Sequence, residues 1–204
     1  MSTVTAIVRQ KNRDNRFSIK VDDAYAFSLS DLDLSASNLR VGTQLSEGEL
    51  EQWQRSAGQS KAYDQALRYL GIRRRSRSEI AQYLNRKGWE EDDVTGVLTR
   101  LEQLGMIDDL AFAGAWIRER RLLRPRSTQA LKFELAKLGV NRQVVEEALR
   151  LEPGDEVSML MELISRRRRQ YPSEDKLIAY LARQGYRYDQ IKQALSRLSD
   201  LSEQ

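Results

Sequence analysis

The stretch ALKFELAKLGVNRQVVEEAL, Ala130 to Leu149, decides how this chain folds, because the chain contains it in three versions. EIAQYLNRKGWEEDDVTGVL (79–98) and KLIAYLARQGYRYDQIKQAL (176–195) share its spacing. In each, a leucine stands four residues before a glycine: Leu84 and Gly88, Leu135 and Gly139, Leu181 and Gly185. An apolar residue follows each glycine at once (Trp89, Val140, Tyr186), with Val94, Val145 or Ile191 six residues after it and Leu98, Leu149 or Leu195 ten after it. The glycine suits the left-handed position that ends a helix, and the next apolar side chain folds back on the last turn. A second helix then buries its valine or isoleucine and leucine on one face.

Another helical stretch precedes each pair: Tyr63–Leu70, Leu110–Leu122 and Val157–Ser165. The unit is therefore three helices of roughly 45–50 residues, and a repeat of that period makes an array whose neighbours share a core. The region upstream differs. Thr3–Gln10, Arg16–Val21 and AYAFSL (24–29) read as strands, separated by the polar turn LysAsnArgAspAsn (11–15) and by Asp22-Asp23. A three-stranded meander is expected, too small to stand alone. Leu45–Trp53 then reads as a short helix with Ser46 and Glu49 as its capping box. The expected fold is mainly α, a tandem array of three three-helix repeats with a small N-terminal β-meander. Its expected domains are 1–58, 59–106, 107–152 and 153–204.

With the repeats aligned, arginines gather where the first helix hands over to the second. The first link carries Arg73, Arg74, Arg75 and Arg77, the second Arg118, Arg120, Arg121, Arg124 and Arg126, the third Arg166, Arg167, Arg168 and Arg169. These are thirteen of the 34 Lys+Arg residues. Ser76 with Glu79, and Ser173 with Glu174 and Asp175, place hydroxyl and carboxylate on the first turn of the following helix, where the dipole favours them. The arginines are expected to point outward along one edge. Arginine suits bidentate pairing with carboxylate or phosphate, so that edge should bind something acidic.

Composition agrees. Residues 1–60 have net charge −1 and residues 61–204 net +5, so the basic balance belongs to the repeats. Absence of cysteine and histidine removes disulfides, thiol catalysis, histidine bases and nearly every zinc site, and fits a reducing, cytoplasmic location. No apolar run reaches the roughly 18–20 residues of a membrane helix, and MSTVTAIVRQ is polar by its ninth residue, unlike a signal peptide. No cofactor, metal or catalytic group is expected: there is no GxxxxGK[ST] loop, and Asp108-Asp109 and Asp155-Glu156 read as helix caps. Trp89, Trp116, Tyr83 and Tyr180 fall on apolar helical positions and read as core, whereas Tyr171, Tyr186 and Tyr188 lie near basic residues where bases could stack.

SRSEIAQYLNRKGWEEDDVTGVLTRLEQLGMID (76–108) also reads as a helix-turn-helix of a transcriptional regulator. Its recognition helix would begin with Glu90, Glu91, Asp92 and Asp93, four carboxylates facing a DNA backbone carrying about one charge per 1.7 Å. Reading of bases by this unit is disfavoured; the third unit, with Tyr186, Arg187 and Tyr188 in that place, is less clearly excluded.

The chain resembles the RecX regulatory proteins, modulators of the RecA recombinase, over nearly its whole length. The resemblance is carried by ALRYLGIRRRSRSEIAQYLNRKG (66–88), LEQLGMIDDLAFAGAWIRERR (101–121) and KLIAYLARQGYRYDQIKQAL (176–195), with VDDAYAFSLSDLDLSASNLRVGTQLSEGEL (21–50) similar to the β region some members carry. It implies a non-enzymatic protein that binds the RecA filament on single-stranded DNA, in its groove or at its end. Such a protein inhibits the ATPase, strand-exchange and coprotease activities and damps recombination, DNA repair and the SOS response. Weak sequence-nonspecific DNA binding and a monomer are expected. The family often has a glycine in the second basic link, where Pro125-Arg126-Ser127 stands here, which implies a stiffer turn.

Overall fold

The computed structural model describes residues 1–10 and 16–202, the last two as backbone only. The turn expected at 11–15 lies outside the described residues. Those residues form four strands, ten α-helices and one 3-10 turn, and the chain divides into two compact units. The first comprises Met1–Arg74 and Ile80–Met106, the second Arg75–Glu79 and Ile107–Gln204.

In the first unit β1 (Ser2–Arg9), β2 (Arg16–Val21) and β3 (Ala24–Ser30) form the expected antiparallel meander. Asp22 and Asp23 turn the β2–β3 hairpin with φ of 50° and 65°, positive at both central positions as a type I′ turn requires. The sheet has a fourth strand, β4 (Gln44–Leu45), pairing Ser2 with Leu45 and Thr3 with Gln44. Two residues are too few to show periodicity, and the pairing is set by the turn before them, where Gly42 at φ 92° donates to the Val4 carbonyl. The six-residue α1 (Asp31–Ala36), capped by Ser30, is equally silent in sequence.

The next helix corrects the sequence reading. The short helix ending at Trp53 and the one starting at Tyr63 are one helix, α2 (Glu47–Leu70), opened by the Ser46–Glu49 capping box. The boundary expected at 58/59 falls inside it. Gly58 costs about 1 kcal/mol relative to alanine in a helix. That is too little to break a helix packed on β3 and on α4 (Glu91–Gln103), where Ala57, Ala62 and Ala66 are buried. Val4, Ile19, Val21, Phe27, Leu29, Leu39 and Leu45 make the sheet's core with Ala57. Ile80 and Leu84 of α3 (Arg77–Arg86), with Val94, Val97, Leu98 and Leu101 of α4, are the buried residues of the first helical repeat.

The second unit holds two further triplets. Helices α5 (Asp109–Leu123), α6 (Thr128–Lys137) and α7 (Arg142–Leu151) enclose Phe112, Ile117, Leu131, Leu135, Val140, Val145 and Ala148. Helices α8 (Glu156–Arg167), α9 (Glu174–Arg183) and α10 (Tyr188–Ser202) enclose Leu160, Ile164, Leu177, Leu181, Tyr186, Ile191 and Leu195. Gly88, Gly139 and Gly185 have φ of 81°, 75° and 95°, and the amides of Trp89, Val140 and Tyr186 donate to the carbonyls of Leu84, Leu135 and Leu181, as the spacing predicts.

One junction occurs twice in this unit. The Ser76 hydroxyl donates to the Leu138 carbonyl at 2.5 Å, and the Ser127 amide donates to the Gln184 carbonyl at 3.1 Å. The next amide in each case, of Arg77 or Thr128, donates to a carboxylate on the first turn of the following triplet, Asp109 at 2.8 Å or Glu156 at 3.4 Å. The starts of α3 and α6 thus meet the ends of α6 and α9, a hydroxyl or an amide against a terminal carbonyl and the next amide against a carboxylate, so that groups a helix leaves unsatisfied at its ends find partners.

Tyr186 closes the last core and is 3% exposed. Its hydroxyl has no hydrogen-bond partner among the described residues, and burial, helped by the nearby Glu156 carboxylate, pushes its pKa up to about 12. A phenol raised on folding stabilises the fold below its unfolded pKa near 10, and that contribution is lost as pH rises from there through about 12. Tyr186→Phe is expected to leave stability at pH 7 within about 0.5 kcal/mol, since no hydrogen bond is lost. Urea titrations at pH 7 and above pH 10 check both points, the variant losing less stability than the parent across the alkaline window.

Candidate functional site

Not all thirteen arginines stand in links. Arg73, Arg74 and Arg75 do, and Arg77 opens α3. Arg118, Arg120 and Arg121 lie in the last turns of α5, Arg124 is its C-cap, and Arg126 follows Pro125. Arg166 and Arg167 end α8, and Arg168 and Arg169 form the 3-10 turn. The cause is that arginine is a good helix former and a cation at a helix C-terminus is favoured by the dipole. Helix α5 runs on until Pro125 forces the residue before it out of helical geometry, Arg124 at φ −145° and ψ 73°.

Nor do all of them point outward. Arg75 pairs with Glu79 at 3.3 Å and is nearly buried. Arg118 pairs with Glu152, whose backbone carbonyl accepts from Arg121. Glu134 takes Arg120 at 2.7 Å and Arg126 at 3.3 Å, and also accepts from the Trp116 indole. Arg120 lies over the Trp116 ring, 4.2 Å from its centroid. These guanidiniums tie α5 to α6 and α7, and their charge is partly cancelled by their own chain. Sequence reasoning missed Glu134 and Glu152 because nothing in their local pattern shows which helix faces them.

The others stay in solvent. Arg73 and Arg74, of the first unit, are exposed, Arg73 donating to the Arg74 carbonyl. In the second unit Arg124 is exposed with no side-chain partner among the described residues. Arg166 to Arg169 are all exposed, with a long i,i+4 pair of Arg166 to Glu162 at 3.7 Å and a hydrogen bond from Arg167 to Gln170 at 2.6 Å.

The structure brings four of the predicted residues together. Arg124, Arg126, Arg166 and Arg167 line a cleft of about 550 Å³, with Leu123, Pro125, Leu163, Gln170, Tyr180 and Gln184 completing its walls. Arg168 lies apart, beside a smaller hollow bounded by Tyr171, Ser173 and Glu174. The second link and the third cluster therefore converge at one place, though they lie some forty residues apart in sequence. Of the aromatic residues, Tyr83 stacks on Tyr69 at 4.1 Å and Tyr180 on Tyr171 at 5.1 Å. Tyr188 is exposed.

The carboxylate pairs are accounted for by capping. Asp108 accepts from the amides of Leu110 and Ala111, Asp109 from the amide of Arg77, and Asp155 from the amide of Val157. Asp93, at the start of α4, has its pKa raised by burial and by the neighbouring Asp92 and Glu90. That helix start crowds negative charge, the opposite of what a DNA backbone attracts. Among the described residues no cluster of His, Cys, Asp and Glu could hold a metal ion, and no helix is long and apolar enough to cross a membrane.

Comparison with known proteins agrees with this architecture. Residues 2–46 match the family described as regulatory protein RecX N-terminal domain, 62–101 the RecX first three-helix domain, and 108–149 the RecX second three-helix domain. The chain is 29% identical to the regulatory protein RecX of Bacillus pumilus, over all of this chain and 80% of that one. It is 30% identical to that of Bacillus licheniformis, over 96% of this chain and 77% of the relative. A solved structure titled crystal structure of regulatory protein RecX superposes with a TM-score of 0.71 at 26% identity, over 95% of this chain and all of that one.

Proposed function

Because the chain belongs to the RecX family of regulatory proteins, we propose that it binds the RecA filament on single-stranded DNA and restrains it without chemistry of its own. It acts in the cytoplasm as a monomer, lowering the filament's ATP hydrolysis, strand exchange and coprotease activity, and so damping recombination and the SOS response. One observation supports this reading: Arg166 and Arg167 share a cleft with Arg124, and all three, like Arg168 and Arg169 after them, are solvent-exposed. Cations held only by weak surface contacts, as Arg166 is by Glu162 and Arg167 by Gln170, can meet acidic subunit faces or phosphates. Contact with DNA by such a surface is sequence-blind and weakens steeply as salt rises.

The test is RecA ATP turnover on single-stranded DNA. The parent chain is expected to slow it. The variant R73E/R74E/R168E/R169E reverses four exposed charges and should lose at least tenfold in inhibitory potency with an unchanged far-UV circular dichroism spectrum. Full inhibition by a folded variant removes these arginines from the mechanism. A transcriptional regulator would instead pick one operator out of excess random duplex, and nothing at the start of α4 favours that.

A further inference from the structure

The cleft at the α5–α6 connection holds more than charge. Every charged residue lining it is an arginine. Leu123, Pro125, Leu163 and Tyr180 line it with the arginines, and so do Gln170, which accepts from Arg167 at 2.6 Å, and Gln184. Its volume lies within the roughly 300–1,000 Å³ of sites that enclose a small molecule. The carboxylates of an acidic peptide would satisfy the arginines but do not themselves bring a flat face to the apolar and aromatic walls. A nucleotide offers both, a phosphate for the guanidinium fork and a base whose faces are apolar and whose edges match amides. The base must be unpaired, because in a duplex its faces are already stacked.

We propose that this cleft takes one nucleotide unit of a single-stranded nucleic acid, its phosphate against Arg124, Arg166 and Arg167 and its base against Leu123, Pro125 and Tyr180. The proposal rests on the reading above, that the third arginine cluster faces the filament, and assigns the nucleic-acid strand rather than a protein face to this part of it. Arg126, already held by Glu134 at 3.3 Å and by the Arg183 carbonyl at 3.1 Å, shapes the wall more than it supplies charge.

The experiment uses the whole chain without recombinase, and a fluorescein-labelled oligothymidylate ten nucleotides long, by anisotropy at several salt concentrations. R166A/R167A is expected to weaken binding at least tenfold and to flatten the slope of log affinity against log salt by about 1.4, at about 0.7 per phosphate contact on a single strand. Tyr180→Leu keeps the wall apolar but removes the ring. It is expected to weaken binding about fivefold or more with the salt slope unchanged, a split that loss of charge alone does not produce. Circular dichroism of both variants verifies folding. Equal affinity of R166A/R167A and the parent overturns the proposal, as does a duplex of the same length bound as tightly, or poly-glutamate displacing the strand at equal charge concentration. Recombinase inhibition surviving in R166A/R167A, with strand binding also intact, sinks the cleft and spares the function. Strand binding lost in that variant, with no inhibition by the parent, does the reverse.

Discussion

Gly185→Ala is expected to destabilise the second unit by about 2–5 kcal/mol, and Gly139→Ala by a similar amount, whereas Gly88→Ala costs the first unit only about 1–2 kcal/mol. All three glycines have positive φ and end a helix in the same way, so left-handed strain is common to them. What differs is space. A Cβ on Gly185 would lie 2.5 Å from the Ser127 hydroxyl and 2.6 Å from the Ala130 Cβ, and one on Gly139 would overlap the Oγ and Cβ of Ser78. A Cβ on Gly88 would meet nothing within 4 Å. Overpacking adds about 1–3 kcal/mol to the strain at the two junctions. Trp116 is the only tryptophan of the second unit, so a W53F/W89F background makes its fluorescence a reporter of that unit in urea. A second substitution, Ala130→Gly, should restore part of the Gly185→Ala loss. Equal losses at Gly185 and Gly88 would show that the helix ends do not meet as closely as described.

The second large effect concerns Arg16, only 4% exposed in the N-terminal sheet. It forms an ion pair with Asp64 of α2 and donates to the Ser28 carbonyl at 2.8 Å and hydroxyl at 3.3 Å. Asp64→Ala leaves a buried guanidinium without its counter-charge and is expected to cost about 3 kcal/mol. Arg16→Met/Asp64→Leu, which removes both charges and keeps the volume apolar, should recover most of that. Trp53, whose ring stacks near Phe27 at 6.3 Å on the same sheet, reports the transition in a W89F/W116F background. A single Asp64→Ala variant as stable as its parent would mean that the guanidinium finds water instead. The pair also explains why the meander stands: its anchor lies on a helix more than forty residues downstream.

Arg16 shows where sequence reasoning stops. In RFSIKV it looks like a strand's first polar residue, and nothing local reveals a partner on α2. The same holds for Glu134 and Glu152, which commit Arg118, Arg120 and Arg126, and for the meeting of Arg124 with Arg166 and Arg167 across one cleft. By contrast, Ser46 with Glu49, Asp108, Asp155 and the three cap glycines behave as their spacing predicts. Each of those signals is complete within one turn of helix.

The amino-acid order alone determined the helical triplets, their caps, the three core strands and the family resemblance, because periodicity, capping and turn chemistry act over a few residues. Tertiary structure alone decided that α2 runs unbroken, that a two-residue strand joins the sheet, and which arginines are cancelled and which stay in solvent. Those outcomes depend on pairs of residues brought together from distant parts of the chain, and the free energy of such pairs is set by burial and separation that no local pattern encodes.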